Sequence, residues 1–264
     1  MTRGLGPLEI HHPPGTFALT PASFIAVEAI ARNQDRFRGR GLDWGTGAGV
    51  LAIAAARIRA VKEVVGLELE AANVEVARVN AERNSVGGKA RFLWADSYQP
   101  LEPSGRKALA DLERGVDFIV ANPPSSSPVD DGFGFRRAVI RGSGRFLKKG
   151  GIVALSVSRQ YGTSRLMGLL DLDPTLDYAG VLASSDWVPF DMARPELLMC
   201  VEGYAAEEER GGLPYAFRHP DHPGRELTAR GALDHFRGTG ESPLSRWQSH
   251  LFVRARSPSP PSRS

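Results

Sequence analysis

A single cysteine, Cys200, stands in a chain of 264 residues. That scarcity excludes a disulfide framework and any zinc site built from cysteines, and it suits a reducing, cytoplasmic setting. Long apolar runs are missing too: no stretch approaches the roughly 20 apolar residues that a membrane span needs. The N-terminal MTRGLGPLEIHHPPGTF carries no apolar run either, so we expect a protein that is neither exported nor embedded. Excess charge is the third shortage. The formal net charge is +3, yet the closing RARSPSPPSRS holds Arg254, Arg256 and Arg263 with no acid, and without them the chain is balanced. The basicity therefore belongs to the tail, and a long nucleic-acid footprint on the folded part is not indicated. No internal repeat is present, and HPDH (His219 to His222) offers two metal ligands with no third at a recognised spacing, so no metal site is expected.

What is present is ordinary globular material, 42% hydrophobic and 24% charged, enough for one sizeable core. From residue 20 to about 160, helical and strand-like runs alternate, which predicts an α/β sheet with parallel strands. Thr20 and Pro21 open a helix whose Phe24, Val27 and Ile30 share one face. Strand-like runs follow in RGLDW, KEVVGLEL, KARFLWAD, VDFIVA and GIVALSVS, with helical runs between them. The last of those helices, FGFRRAVIRGSGRFLKKGG, is expected to stop at Lys-Lys-Gly-Gly. Beyond Ser158 the rhythm changes, and residues 188–247 read as an insertion ahead of a closing strand, SHLFVRAR. The expected division is 1–38 as an N-terminal segment and helix packed on the core, 39–255 as the main domain with 188–247 on the substrate side, and 256–264 as a disordered Ser/Pro/Arg tail.

The first strand runs into LDWGTGAGVLAI, with Gly45, Gly47 and Gly49 alternating where strand becomes helix. Such a turn lets the backbone approach a ligand closely and exposes helix-start N–H groups. A dinucleotide fingerprint wants a sixth-position glycine, and here Val50 stands there. The second strand ends at Glu68, a carboxylate placed to accept both hydroxyls of a ribose, and the third ends at Asp96, which can accept from an adenine amino group. Each feature alone is also what a tight connection or a solvated strand end would show; their recurrence at three strand tips points to one ligand crevice.

LDWGTGAG with Glu68 and Asp96 resembles the successive cofactor motifs of the class I S-adenosylmethionine-dependent methyltransferases. ANPP after the fourth strand resembles the motif of their Asn-Pro-Pro branch, the HemK-like, small-domain N-methyltransferases. The resemblance spans about residues 17 to 160 and the closing strand. It implies a Rossmann-like, seven-stranded, mostly parallel sheet with helices on both faces and an insertion before the last strand. It also implies S-adenosyl-L-methionine as cofactor, with Gly45, Thr46, Gly47 and Gly49 near the methionine part, Glu68 on the ribose, Asp96 at the adenine, Asp43 near the amino group, and Asn122 beside the methyl.

Methyl transfer is an in-line attack, and a delocalised nitrogen is a poor nucleophile. A site that accepts hydrogen bonds from both N–H bonds orients it and favours pyramidalisation. Asn122, through its side-chain oxygen, and Pro123, through its carbonyl, suit that catalytic role, although Asn-Pro is also a common way to start a turn. The branch usually has an aromatic at the fourth motif position, where this chain has Ser125, so Phe133 and Phe135 are considered as substitute platforms. The expectation is a nitrogen methyltransferase acting on protein, nucleic acid or a small molecule. O-methylation, small-molecule methylation and a noncatalytic cofactor-binding subunit are the alternatives. Trp187, Phe190 and Trp247 are candidates for lining a substrate pocket, Arg36 to Arg40 for touching phosphate, and Phe17, His11 and His12 for a cover over the cofactor. Ser126, Ser127 and Ser158 lack a readable His-Asp partner arrangement.

Overall fold

The computed structural model describes residues 2, 4–16, 19–125, 130–222 and 224–255. Helix α1 (Pro21–Arg32) precedes β1 (Gly39–Trp44), α2 (Val50–Ala56), β2 (Val61–Glu68), α3 (Ala71–Arg83) and β3 (Ala90–Asp96). A two-residue β4 (Gln99–Pro100), α4 (Pro103–Ala110), β5 (Val116–Ala121), α5 (Gly134–Phe146) and β6 (Leu147–Ser158) follow. Then come α6 (Gly162–Met167), β7 (Leu176–Ser184), β8 (Val188–Pro189), α7 (Pro195–Glu209), β9 (Phe217–Arg218), β10 (Glu226–Leu227), α8 (Ala229–Thr239), β11 (Leu244–Ser245) and β12 (Trp247–Arg254).

The main sheet runs β4-β3-β2-β1-β5-β6-β12-β7. Its β3-β2-β1-β5-β6 stretch is parallel, and β12 lies antiparallel to both β6 and β7. The seven expected strands are present, and the eighth is the short antiparallel edge β4. Chain order reverses between β1 and β5, so the crevice over their C-terminal ends is the place where an open α/β sheet binds ligands.

Alternation along each strand fills two layers. Val64 of β2 and Phe118 and Val120 of β5 pack with α1, α2 and α3. Leu42 and Trp44 of β1, Ile119 and Ala121 of β5, and Val153 and Leu155 of β6 pack with α4, α5 and the segments beyond β6. Val27 and Ile30 of α1 are buried as their spacing predicts, but Phe24 on the same expected face is 40% exposed. It sits in the first turn beside Ser23, whose Oγ meets Asn122 in the loop after β5, so this end of α1 has reached the strand tips and has less sheet left to cover.

Two expectations about element ends need correction. The helix expected to run to Lys-Lys-Gly-Gly stops at Phe146, because Leu147 is buried and pairs with Val116 as the first residue of β6. Gly150, at φ +76°, belongs to an irregularity before Ile152 regains register with Phe118. The run ELTARGALDHF reads by its pattern as a helix from Glu226, and the helix instead begins at Ala229. Thr228 Oγ1 accepts the Gly231 N–H at 3.1 Å as its cap, which leaves Glu226 and Leu227 to pair with Arg218 and Phe217.

Between β7 and β12 the chain builds a second sheet, ordered β10-β9-β11-β8, together with α7 and α8. Its two-residue strands are too short to show alternation in the sequence. Arg254, grouped with the tail by its charge, lies in β12 as the expected closing strand has it, and its guanidinium donates to the carbonyls of Gly144 at 2.7 Å and Leu147 at 2.5 Å. Residues 256–264 lie outside the described residues. Among the described residues no helix is long and apolar enough to cross a membrane.

Candidate active site

The first strand delivers Asp43 and the glycine turn together. Gly45, Gly47 and Gly49 adopt φ of +67°, +53° and +89°. These left-handed values strain any residue with a Cβ, so alternating glycines are what this turn requires. The turn folds back over Asp43, which is 1% exposed. Its Oδ2 accepts from Thr46 Oγ1 at 2.5 Å and from the Ala52 N–H at 2.9 Å, while Oδ1 is buried with no partner among the described residues. Burial, opposed by those two hydrogen bonds, pushes the carboxyl up to about 7. A small space of about 30 Å³ bordered by Asp43, Gly45, Gly47, Ser23 and Asn122 adjoins this turn.

The second strand tip braces the same turn. Glu68 Oε2 accepts the Gly47 N–H at 2.7 Å, and Oε1 accepts the Glu70 N–H at 3.0 Å and Asn73 Nδ2 at 3.5 Å, so the carboxylate is fixed while a lone pair remains on Oε2. Asp96 is exposed at the neighbouring tip. Between these tips lies a cavity of about 390 Å³ whose lining includes Gly45, Gly47, Glu68, Asp96 and Asn122, with apolar walls from Trp44, Leu69, Phe135 and Ala138. Trp44 is held by its Nε1–H on Ser97 Oγ at 2.9 Å and faces the Phe135 ring at 6.1 Å between centroids. The donor set suits a ligand with an ammonium group, vicinal hydroxyls and a planar base: an orphaned buried carboxylate oxygen, a second carboxylate at the next tip, and apolar walls.

Asn122 also borders a second cavity, of about 400 Å³, on the other side of the loop. This space draws on Thr20 before α1, Pro123 to Ser125, Ser156 to Ser158 and Gln160 at the β6 tip, Phe190, Asp191 and Arg194 after β8, and Trp247 and Gln248. Asn122 Nδ2 donates to Ser23 Oγ at 3.2 Å, and no donor meets its Oδ1 among the described residues. The Pro123 carbonyl, by contrast, already accepts Arg136 Nη2 at 3.0 Å, while Nη1 of the same guanidinium reaches the Pro124 carbonyl at 3.0 Å. Arg136 is 5% exposed and lies 4.8 Å from the Tyr161 ring centroid. It clamps the proline loop from below, and Pro123 keeps one lone pair for a further donor.

Ser125 has a structural partner set in place of the motif aromatic. Its Oγ lies 2.7 Å from Tyr161 Oη and 3.2 Å from Tyr204 Oη, and those two hydroxyls are 3.1 Å apart. Neither phenylalanine substitutes as an acceptor platform: Phe133 is a core residue packed on Tyr161, and Phe135 faces the first cavity. Of the aromatics in the insertion, Phe190 and Trp247 border the second cavity, whereas Trp187 lies beneath the guanidinium groups of Arg218 and Arg246.

The N-terminal segment is tied down. Asn80 of α3 and Asn84, which caps its C-terminus, exchange hydrogen bonds with the backbones of His11 and Glu9, and Asn80 also reaches the Ala48 carbonyl at 2.9 Å. Of the Arg36 to Arg40 stretch, Arg40 is engaged by Glu63 at 2.9 Å and by the Asp111 carbonyl at 3.0 Å. Phe17, Ser126 and Ser127 lie outside the described residues. Among the described residues no group of three or more His, Cys, Asp or Glu side chains could hold a metal ion; the His219 ring lies tilted against those of His222 and His235, at 5.1 and 4.6 Å between centroids. Sequence reading missed Ser23 and Arg136, which act from helices packed onto the loop; Tyr161, just past the β6 tip, was open to the same strand-tip rule.

The chain belongs to the methyltransferase small domain family, whose family model matches residues 7–172. It is 33% identical over 123 residues to a release factor glutamine methyltransferase of Mycolicibacterium smegmatis, a match covering 47% of this chain and 40% of that protein. It is 31% identical over 169 residues to a 4-amino-L-phenylalanine/4-methylamino-L-phenylalanine methyltransferase of Streptomyces pristinaespiralis, covering 54% and 53% of the two chains. Matches to these curated relatives thus span at most about half of their length. The YcgJ protein from Bacillus subtilis shares the fold, with a TM-score of 0.51 and 14% identity over 89% of this chain and 99% of that one.

Proposed function

We propose that the protein transfers a methyl group from S-adenosyl-L-methionine to a nitrogen of an acceptor seated in the second cavity. The observation that carries this reading is the place of Asn122, which borders both the 390 Å³ and the 400 Å³ cavities with its Oδ1 free. In this reading Asp43 Oδ1 receives the cofactor's amino group, the Gly45–Gly49 turn with Thr46 cradles its methionine part, Glu68 holds the ribose, and Asp96 meets the adenine. When bound, the cofactor supplies an electrophilic methyl on a sulfonium. Asn122 Oδ1 and the remaining lone pair of the Pro123 carbonyl accept the two N–H bonds of the acceptor and aim its lone pair in line.

The neutral-nitrogen form of the acceptor is supported by the electrostatics of the second cavity. Arg136 is buried on its wall without an ion pair among the described residues, while Asp191 is an exposed rim residue. A positive wall disfavours an ammonium acceptor and leaves a neutral amide or amine unopposed. The relatives named for glutamine and for an amino-phenylalanine substrate fit this chemistry. The same reading sets 39–255 as the catalytic domain, with 188–247 shaping the acceptor side, in the cytoplasm.

The test is a labelled-methyl transfer assay on fractionated protein, RNA and small-molecule extracts, run beside calorimetric cofactor binding. Transfer that disappears in Asn122→Ala while cofactor binding persists is the expected result. Absence of cofactor binding in the unaltered protein overturns the whole reading. Binding without transfer to any fraction identifies a noncatalytic subunit instead.

A further inference from the structure

Three guanidinium groups converge where the second sheet meets the tips of β6 and β12. Arg159 follows β6, Arg246 precedes β12, and Arg218 lies in β9; the Arg159 N–H donates to the Arg246 carbonyl at 2.9 Å and brings the first two together. Arg246 and Arg218 sit 4.5 and 5.3 Å from the Trp187 ring centroid. One carboxylate serves the cluster: Glu226 Oε2 lies 3.1 Å from Arg159 Nη2 and 4.0 Å from Arg218 Nη2. Among the described residues no other carboxylate comes within ion-pair distance of the three, so three positive charges face one negative.

The donors are unfinished as well as the charge. Arg159 Nη1, Arg218 Nε and Arg246 Nε are buried with no acceptor among the described residues. A buried guanidinium N–H without an acceptor is costly, and a water, an ion or a ligand oxygen can supply the missing acceptor. A cavity of about 180 Å³ opens beside two of these arginines, bordered by Ser158, Arg159, Thr163, Tyr178, Arg246 and His250. Tyr178 Oη and His250 Nδ1 are 3.0 Å apart at its wall. Burial pushes His250 down to about 4, so it adds no charge at neutral pH.

We propose that this cavity binds a phosphate group carried by the methyl acceptor. A tetrahedral oxyanion presents three or more acceptor oxygens and up to two negative charges, which matches the two guanidinium groups and the hydroxyls that border the cavity, with Arg218 adding positive charge from beyond its lining. A carboxylate offers one charge and a planar pair of oxygens. The site adjoins the second cavity, since both are bordered by Val157, Ser158 and Gln248. An acceptor with its nitrogen at Asn122 and its phosphate between Arg159 and Arg246 would span both. The assignment to the acceptor rests on the proposed methyl transfer; phosphate binding itself does not.

The experiment is thermal denaturation of the full chain titrated with inorganic phosphate, against chloride and acetate at equal ionic strength. Phosphate is expected to raise Tm saturably beyond both controls. Arg246→Gln and Arg159→Gln are each expected to weaken that effect about tenfold or more, the loss of one charge-assisted contact, while Arg237→Gln on α8 leaves it unchanged. Arg246→Lys keeps the charge over Trp187 without the planar fork; it is expected to retain more of the phosphate effect than Arg246→Gln, and both variants should retain cofactor binding, which separates loss of the site from loss of the fold. Equal effects of phosphate and chloride, or a phosphate effect that survives both glutamine substitutions, overturn the site. An equal response to acetate overturns the phosphate in favour of a carboxylate. In the transfer assay, phosphate that fails to compete with the acceptor overturns its assignment to the acceptor, whereas failure of cofactor binding would remove the methyl-transfer reading and leave the phosphate titration standing.

Discussion

The two cavities that meet at Asn122 are nearly equal in size, about 390 and 400 Å³, and they are built in opposite ways. The first is made largely from three consecutive strand tips: most of its lining falls between Trp44 and Ser97, and Asn122, Pro124, Phe135 and Ala138 close it. The second takes residues from Thr20 to Gln248, through an N-terminal helix, three loops and the insertion. A site assembled from adjacent tips has its geometry set by the sheet, whereas one assembled from distant segments depends on how each segment packs. Substitutions on the two sides should therefore fail differently, in cofactor affinity on one and in turnover or acceptor affinity on the other.

Asn122 belongs to both sides and gives the sharpest contrast. Asn122→Ala should lower turnover by on the order of a hundredfold or more, as loss of a positioned polar group at the reacting atoms does. Cofactor affinity by calorimetry should change no more than a few-fold. A parallel loss of both would make Asn122 a cofactor residue only and dissolve the division between the cavities.

On the cofactor side the test is pH. Burial raises the Asp43 carboxyl to about 7 from an unfolded value of 3.8. The folded free protein then holds this proton more tightly than the unfolded chain. Its stabilising contribution is fully present below about pH 4 and is lost as pH rises through 7. An ammonium ligand at Oδ1 favours the ionised form, so cofactor affinity should rise with pH across the same range, by up to about tenfold per unit below 7. Asp43→Asn should flatten both profiles and weaken binding about tenfold, measured by calorimetry from pH 5.5 to 8.5.

Ser23 probes whether a distant helix sets the acceptor side. Its Oγ receives Asn122 Nδ2, so Ser23→Ala frees the amide to rotate. Turnover should fall about fivefold, the equivalent of one ordinary hydrogen bond. Cofactor affinity should stay the same, and Ser23→Thr, which retains a hydroxyl, should recover part of the rate.

The same contrast explains what could be read from the sequence. Asp43, Gly45, Gly47, Glu68 and Asp96 announce themselves because a parallel sheet turns sequence order into spatial order, and each sits where a strand ends. The sheet and its helices were legible for that reason, down to the position of Asn122. Arg136 and Ser23 were not, because each lies on a helix whose period tells which face is buried and not which carbonyl or amide that face meets. The four two-residue strands of the second sheet are too short to show alternation, and the convergence of Arg159, Arg218 and Arg246 depends on that sheet.

Ser125 offers the smallest effect and the finest test of the division. If it stood in for the missing aromatic as an acceptor contact, Ser125→Ala would raise the acceptor KM. Its Oγ instead completes a triangle with Tyr161 and Tyr204, whose hydroxyls stay paired with each other at 3.1 Å once the serine oxygen is gone. Both rings are buried against Phe133 and Tyr215, so their positions do not depend on the serine. Ser125→Ala should cost about 1 kcal/mol or less by urea denaturation and leave turnover and both affinities unchanged. A selective rise in acceptor KM would move Ser125 from the scaffold of the loop to the surface that reads the substrate.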